Sequence, residues 1–158
     1  MNLDPPDEKH LRRAIELSRR ARAAGNQPFG SVLVQASGEV LAEDVNTEVT
    51  DSDITAHPEL KFARWAAANL SESDATTSTI YTSCEACAMC SGAIVTSGLG
   101  RVVYALSAPQ LYELKGWPTQ KVMRGITVLA EAGHHITVNG PFLYDEAAAP
   151  HLGFWVPG

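Results

Sequence analysis

Thr55-Ala56-His57-Pro58-Glu59 and Thr82-Ser83-Cys84-Glu85-Ala86-Cys87-Ala88-Met89-Cys90-Ser91-Gly92 hold the concentrated chemistry of this chain. All three of its cysteines fall in the second stretch, each three positions from the next. Two readings open from there: a metal site that borrows His57, or a cluster of small buried thiols. Cys87 and Cys90 stand at i and i+3, so on a helix both sulfurs share a face. At a helix N-terminus the unpaired N–H groups favour thiolate over thiol. His57 and Glu59 sit in the same way at the start of another expected helix. One imidazole and two thiolates delivered from two helix N-termini suit zinc in tetrahedral geometry. Three protein ligands leave the fourth corner to water, the pattern of a catalytic rather than a structural site. Glu59, two residues from a ligand, is placed to carry protons without binding metal. Cys84 reads as a buried packing residue, since a fourth protein ligand would close the site.

Outward from these stretches, the pattern predicts an amphipathic helix over 7–24, stopped by Gly25-Asn26 and Pro28. A hairpin follows, with strands at 31–35 and 39–45 around the turn Ala36-Ser37-Gly38. Residues 46–53 read as loop. A second helix is expected over 56–69, with Pro58 in its first turn, where a missing N–H costs nothing. Residues 71–77 read as loop, 78–82 as a strand, and 87–97 as a third helix ending at Gly98. A buried strand at 101–106 and a short helix at 109–114 come next. Residues 125–132 are ambiguous, 136–138 suggest a strand, and 144–152 a last helix. Strands and helices alternating after a hairpin predict an α/β fold with helices on both faces of one sheet. The expected organisation is a single domain over 1–158, with 140–158 as a C-terminal helix and tail packing near the site.

Composition bounds the function classes. The 158 residues are 45% hydrophobic and 19% charged, and no apolar run approaches the ~18–20 residues that span a bilayer. Residues 1–8 are acidic and lack the apolar segment of a signal peptide. Three clustered cysteines make no paired disulfide framework, so a reducing, cytoplasmic setting is expected. Six of the twelve basic residues lie in the first 22 positions, leaving six basic against fourteen acidic residues beyond them. Nucleic-acid readers present a broad basic face. Here the basic residues alternate with Leu11, Ala14, Ile15 and Ala21 on one helix and read as its solvated side.

His57-Pro58-Glu59 followed by Cys87-Ala88-Met89-Cys90 resembles the zinc-dependent cytidine deaminase superfamily, with its H-x-E…P-C-x-x-C signature. Pro28-Phe29-Gly30-Ser31-Val32-Leu33-Val34 is similar to that family's first strand, and Asn46 occupies the place of its substrate-contacting asparagine. The run from Thr82 through Ile94 looks closest to the guanine and cytosine deaminase branch, and the tail His151-Leu152-Gly153-Phe154-Trp155 is similar to a subset of free-base deaminases. The resemblance implies a three-layer α/β/α fold with a central mixed sheet of about five strands, and a homodimer or higher homo-oligomer. It implies Zn²⁺ held by His57, Cys87 and Cys90, with Glu59 as the catalytic proton carrier. Asn46, Phe29 and Trp155 would contact a small heterocyclic substrate (guanine, cytosine or an aminotriazine), whose exocyclic amine is hydrolysed to ammonia. Two positions depart from the pattern. Pro58 replaces the usual Ala or Gly and has no N–H to offer a ring carbonyl, and Ala86 replaces the proline of the second motif.

Competing readings are a tRNA-specific adenosine deaminase, a non-catalytic binding protein of the same fold, and an iron–sulfur protein. The last rests on Cys84-x-x-Cys87-x-x-Cys90, which copies the start of a ferredoxin motif but lacks a fourth cysteine. His10, His134, His135 and His151 have no motif around them and read as surface or capping residues, Met89 as core, and Trp117 as a weaker aromatic candidate than Trp155.

Overall fold

The computed structural model describes residues 2–155, so the last three residues of the expected tail lie outside the described part. Helix α1 (Pro5–Ala23) opens on Asp4, whose side chain accepts the Asp7 N–H, with prolines in the first turn. Strands β1 (Gly30–Val34) and β2 (Val40–Val45) form the expected hairpin. Then come α2 (Glu48–Asp51), α3 (Pro58–Asn69), α4 (Glu72–Thr77), β3 (Thr79–Cys84), α5 (Ala88–Ser97) and β4 (Arg101–Leu106). Helix α6 (Ala108–Lys115), a 3₁₀ turn at Thr119–Lys121, α7 (Gly125–Ala130), β5 (Thr137–Asn139) and α8 (Tyr144–Ala148) complete the described elements, followed by a second 3₁₀ turn at Ala149–His151.

The five strands form one mixed sheet in the order β2-β1-β3-β4-β5. β1 is antiparallel to both β2 and β3, whereas β3, β4 and β5 run parallel. Alternation along the strands divides the core into two layers. Val32, Val34, Tyr81, Val103 and Ala105 pack with Leu11, Ala14, Ile15 and Leu17 of α1, Leu111 of α6 and Ala147 of α8. Leu33, Ile80 and Val102 point to the opposite face and pack with Phe62, Ala63 and Ala66 of α3, Cys90 and Ile94 of α5, and Leu129 of α7. The result is the predicted α/β/α arrangement.

Two loops of the sequence reading are corrected. Within residues 71–77, Glu72–Thr77 form α4, with the hydroxyl of its N-cap Ser71 accepting the Asp74 N–H; a polar run carrying its own N-cap can be helical where packing supports it. The 46–53 stretch contains the single turn α2. The last helix stops at Ala148 and tightens to 3₁₀, because Pro150 cannot supply an intrahelical N–H. His10 and His151 are buried, and Met89 is exposed at 38%. The ambiguous 125–132 segment is helical over Gly125–Ala130.

A polar tie crosses the α1 face of the sheet. The Asp7 carboxylate accepts from the Tyr81 hydroxyl and from both terminal nitrogens of Arg101, whose Nε donates to Asn139 at 3.1 Å. Burial alone would raise the Asp7 pKa, but the bonds from Arg101 and Tyr81 outweigh it and hold the carboxyl below its ordinary value. A depressed folded-state pKa contributes stability above the unfolded carboxylate value of about 4, lost as pH falls through the folded value. Asp7→Asn should therefore cost about 2–3 kcal/mol at neutral pH, somewhat below the ~3–5 kcal/mol for breaking a fully buried pair because the Arg101 side chain is 32% exposed. Urea melts should also show the variant losing less stability than the wild type between pH 5 and pH 3.

Candidate active site

The N-termini of α3 and α5 meet beyond the carboxyl end of β3, on the face that α3 and α5 cover. In sheets with parallel strands this end is where ligands bind. His57 is the N-cap of α3, and Pro58 stands at the first helical position. Cys87 is the N-cap of α5, one residue before the helix, and its Sγ accepts the Cys90 N–H at 3.5 Å. These caps aim the three side chains at one point. Their donor atoms all lie within 4.8 Å of one another, with Cys87 Sγ at 3.7 Å and Cys90 Sγ at 3.5 Å from His57 Nδ1. A tetrahedral zinc with bonds of about 2.1 Å to nitrogen and 2.3 Å to sulfur needs donor separations of ~3.5–3.8 Å. Both nitrogen–sulfur sides of the triangle fit that ion.

The electrostatics agree. The Cys87 thiol is pulled down to about 4, first by the hydrogen bond with Cys90 and then by His57. Cys90 is pushed up by Cys87 and by burial. Thiolate, the form favoured at Cys87, is the form that binds a metal. The other face of the imidazole is fixed as well: His57 Nε2 lies 3.2 Å from Glu48 Oε2. That contact presents Nδ1 to the sulfurs, the carboxylate–histidine pairing that orients metal ligands.

Glu59 is buried, and its Oε1 accepts from Ser31 Oγ at 2.9 Å and from Thr82 Oγ1. Burial raises its pKa, opposed by these hydroxyls. Cys84 is buried at 4% and lies outside the donor triangle, and burial pushes its thiol up. A cavity of about 180 Å³ opens on His57, Glu59 and Cys87, with Phe29, Tyr112 and Lys115 in its walls. Of the expected substrate contacts, Phe29 lines the cavity. Trp155 stands behind it, 6.3 Å away ring to ring, and donates from its indole to His151 Nδ1. Asn46 is fully buried and turned to Glu48, accepting its N–H and donating to its carboxylate, both at 3.0 Å. It therefore stands behind the residue that holds His57.

The sequence reading missed Glu48, Ser31, Thr82, Glu85 and Lys115. Ser31 and Thr82 are opposed in the β1–β3 register, a pairing no local pattern announces. Glu85 accepts from Arg124 at 3.0 Å, the Ala108 N–H at 2.9 Å and the Ile126 N–H at 3.3 Å. It thereby pins the starts of α6 and α7 to the site. Gly125 belongs to the same corner, because a Cβ there would lie 1.8 Å from the Ala86 carbonyl oxygen.

The fold and the donor triangle together define a deaminase-type zinc site. Residues 5–106 match the family model for the cytidine and deoxycytidylate deaminase zinc-binding region, and the chain belongs to that family. It is 38% identical over 163 residues to the probable cytosine deaminase of Schizosaccharomyces pombe, covering 99% of this chain and 96% of that protein. It is 40% identical over 101 residues to the tRNA-specific adenosine deaminase of Haemophilus influenzae, covering 64% of this chain but only 58% of that protein. The guanine deaminase structure from Nitrosomonas europaea superposes with a TM-score of 0.74 at 26% identity, over 96% of this chain and 84% of that one. The family makes this chain a hydrolytic deaminase. Among the described residues no helix is long and apolar enough to cross a membrane.

Proposed function

We propose that this chain is a zinc-dependent hydrolase that removes the exocyclic amino group of a free nucleobase or related heterocycle and releases ammonia. One observation carries the reading: His57 and Cys87 of the donor triangle and the buried Glu59 carboxylate border one cavity of about 180 Å³, with Cys90 completing the triangle behind them. Walled by Phe29 and Tyr112, the cavity suits a small flat ring.

Zinc, when bound, supplies the Lewis acid that makes a water nucleophilic near neutral pH. The remaining chemistry belongs to the chain. Oε1 of Glu59 is held by Ser31 and Thr82, which leaves Oε2 to take the proton of the attacking water. The same carboxyl gives that proton to a ring nitrogen, then takes the second proton from the hydroxyl added to the ring carbon and delivers it to the amine, which leaves as ammonia as the C–N bond breaks and the carbonyl forms. Phe29 packs against the ring face. Pro58 offers no N–H, so a substrate carbonyl must find its donor elsewhere. Glu48, backed by Asn46, keeps the imidazole from turning.

The charge arrangement supports a small substrate over tRNA. Arg12 pairs with Glu8 at 2.7 Å and Glu146 at 3.0 Å, and Arg13 with Glu43 at 2.7 Å. Arg19 and Arg20 both face Glu16, and Arg22 donates to the carbonyls of Pro150 and Leu152. Five of the six basic residues of α1 are thus engaged, Arg12, Arg13, Arg19 and Arg22 with α8, β2 or the tail and Arg20 with Glu16 of α1 itself, which weakens their claim on phosphates. An ammonia-release screen over guanine, cytosine, 5-azacytosine, ammeline, adenine and their nucleosides tests the proposal. Turnover of at least one free ring, little changed between 50 and 200 mM salt, is the expected result. Silence on every free ring with salt-sensitive tRNA deamination would overturn it.

A further inference from the structure

Lys115 occupies the last turn of α6, ahead of Gly116 in the left-handed conformation at φ 69°. A lysine there ordinarily complements the helix C-terminus and extends into water. This one does not. Its Nζ lies 4.0 Å from the ring centroid of Trp155 and 4.3 Å from that of Trp117, and the residue lines the active-site cavity. The two aromatic rings stabilise the cation without neutralising it.

The carboxylates around the cavity are already committed. Glu85 is held by Arg124, with a closest approach of 2.9 Å, and Glu59 by Ser31 and Thr82. Among the described residues no carboxylate lies within 4.0 Å of Lys115 Nζ, and Nζ makes no hydrogen bond. Glu48 attracts the ammonium from beyond that distance but is itself engaged with His57 and Asn46, so the half-buried ammonium has no anionic partner in contact and carries a desolvation cost that a bound anion reduces. Burial accordingly lowers the Lys115 pKa. Pro58 points the same way, because the backbone donor it removes leaves ring oxygens in need of another.

We propose that Lys115 is a specificity-determining residue that binds an anionic oxygen on the substrate, so that the preferred heterocycle carries a negative charge at neutral pH. This deepens the free-heterocycle reading and rests on it. The charge has two possible sources, a ring oxyanion of an acidic oxo-heterocycle or a carboxylate substituent. Both accept the same charge-assisted hydrogen bond, worth about tenfold or more in affinity over a neutral acceptor.

The test uses rings with no amino group to lose, so that it does not depend on turnover. Binding of barbiturate (a ring oxyanion), orotate (a carboxylate) and uracil (neutral) is measured by calorimetry on the zinc-loaded wild type, Lys115→Met and Lys115→Arg. Methionine keeps an apolar, aromatic-compatible stem and removes the charge. The wild type should bind at least one anionic ring about tenfold or more tighter than uracil. Lys115→Met should abolish that preference while uracil binding changes less than about threefold, and Lys115→Arg should retain part of it. Which anion gains identifies the source of the charge. Equal binding of all three rings by the wild type, or equal loss of all three in Lys115→Met with an unchanged melting temperature, would overturn the proposal. Failure of the deaminase reading itself would show elsewhere, as an absence of ammonia release from every ring.

Discussion

Glu59→Gln should lower turnover by at least ~10²–10⁴-fold, the range for a positioned proton carrier, with zinc content unchanged. Glutamine keeps an oxygen to accept the Ser31 and Thr82 hydroxyls that now meet Oε1, but it cannot take a proton from water or return one to the leaving amine. Its amide is neutral. Burial pushes the Glu59 carboxyl up from its ordinary value, so removing the charge also removes a desolvation cost, and the melting temperature should hold or rise. A dead but well-folded, zinc-loaded variant is the signature of a residue kept for chemistry at some expense of stability. Metal analysis, ammonia release and a thermal melt on the same preparation check it. Retained turnover would remove Glu59 from the proposed mechanism.

Loss of the metal should have the largest effect on stability. A ligand present at about a thousandfold over its dissociation constant stabilises the folded state by ~4 kcal/mol. For a chain of this size that is about 8–16 °C in melting temperature. Cys87→Ala should remove stoichiometric zinc and lower the melting temperature by that order, and the wild type stripped with a chelator should fall by a similar amount. Adding zinc back should restore the stripped wild type but not the variant. The drop in Cys87→Ala includes a smaller contribution from the cap, because Cys87 Sγ also accepts the Cys90 N–H. A variant that keeps stoichiometric zinc would contradict the proposed ligand set.

The depth to which the site could be read follows from the range of each interaction. His57 and Glu59, like Cys87 and Cys90, are near neighbours in sequence, and each pair sits at a helix start that Pro58 and the flanking loops make legible. Glu48 is nine residues from His57 and stood in a stretch read as loop. Only the turn of α2 brings its carboxylate to 3.2 Å from the ring. The metal-site geometry was therefore within reach of pattern, whereas the partners that hold it in place were not.

The same division runs through the whole chain. Local spacing and periodicity by themselves determined the α/β class, the hairpin, the buried strand Arg101–Leu106 and the Gly98 stop after α5, because backbone preferences act over a few residues. They also singled out His57, Cys87 and Cys90, whose donor atoms the fold brings within 4.8 Å of one another, since zinc ligands need particular atoms at particular spacings. Tertiary structure alone decided the rest. It buried His151 against Phe29 and Trp155, helped α4 to form in a polar run, and joined Asn46 to Glu48 through two hydrogen bonds. It also set Lys115 between two tryptophans at the cavity wall. Each of these depends on contacts across long sequence separations, whose energies arise only after the sheet has brought distant segments together.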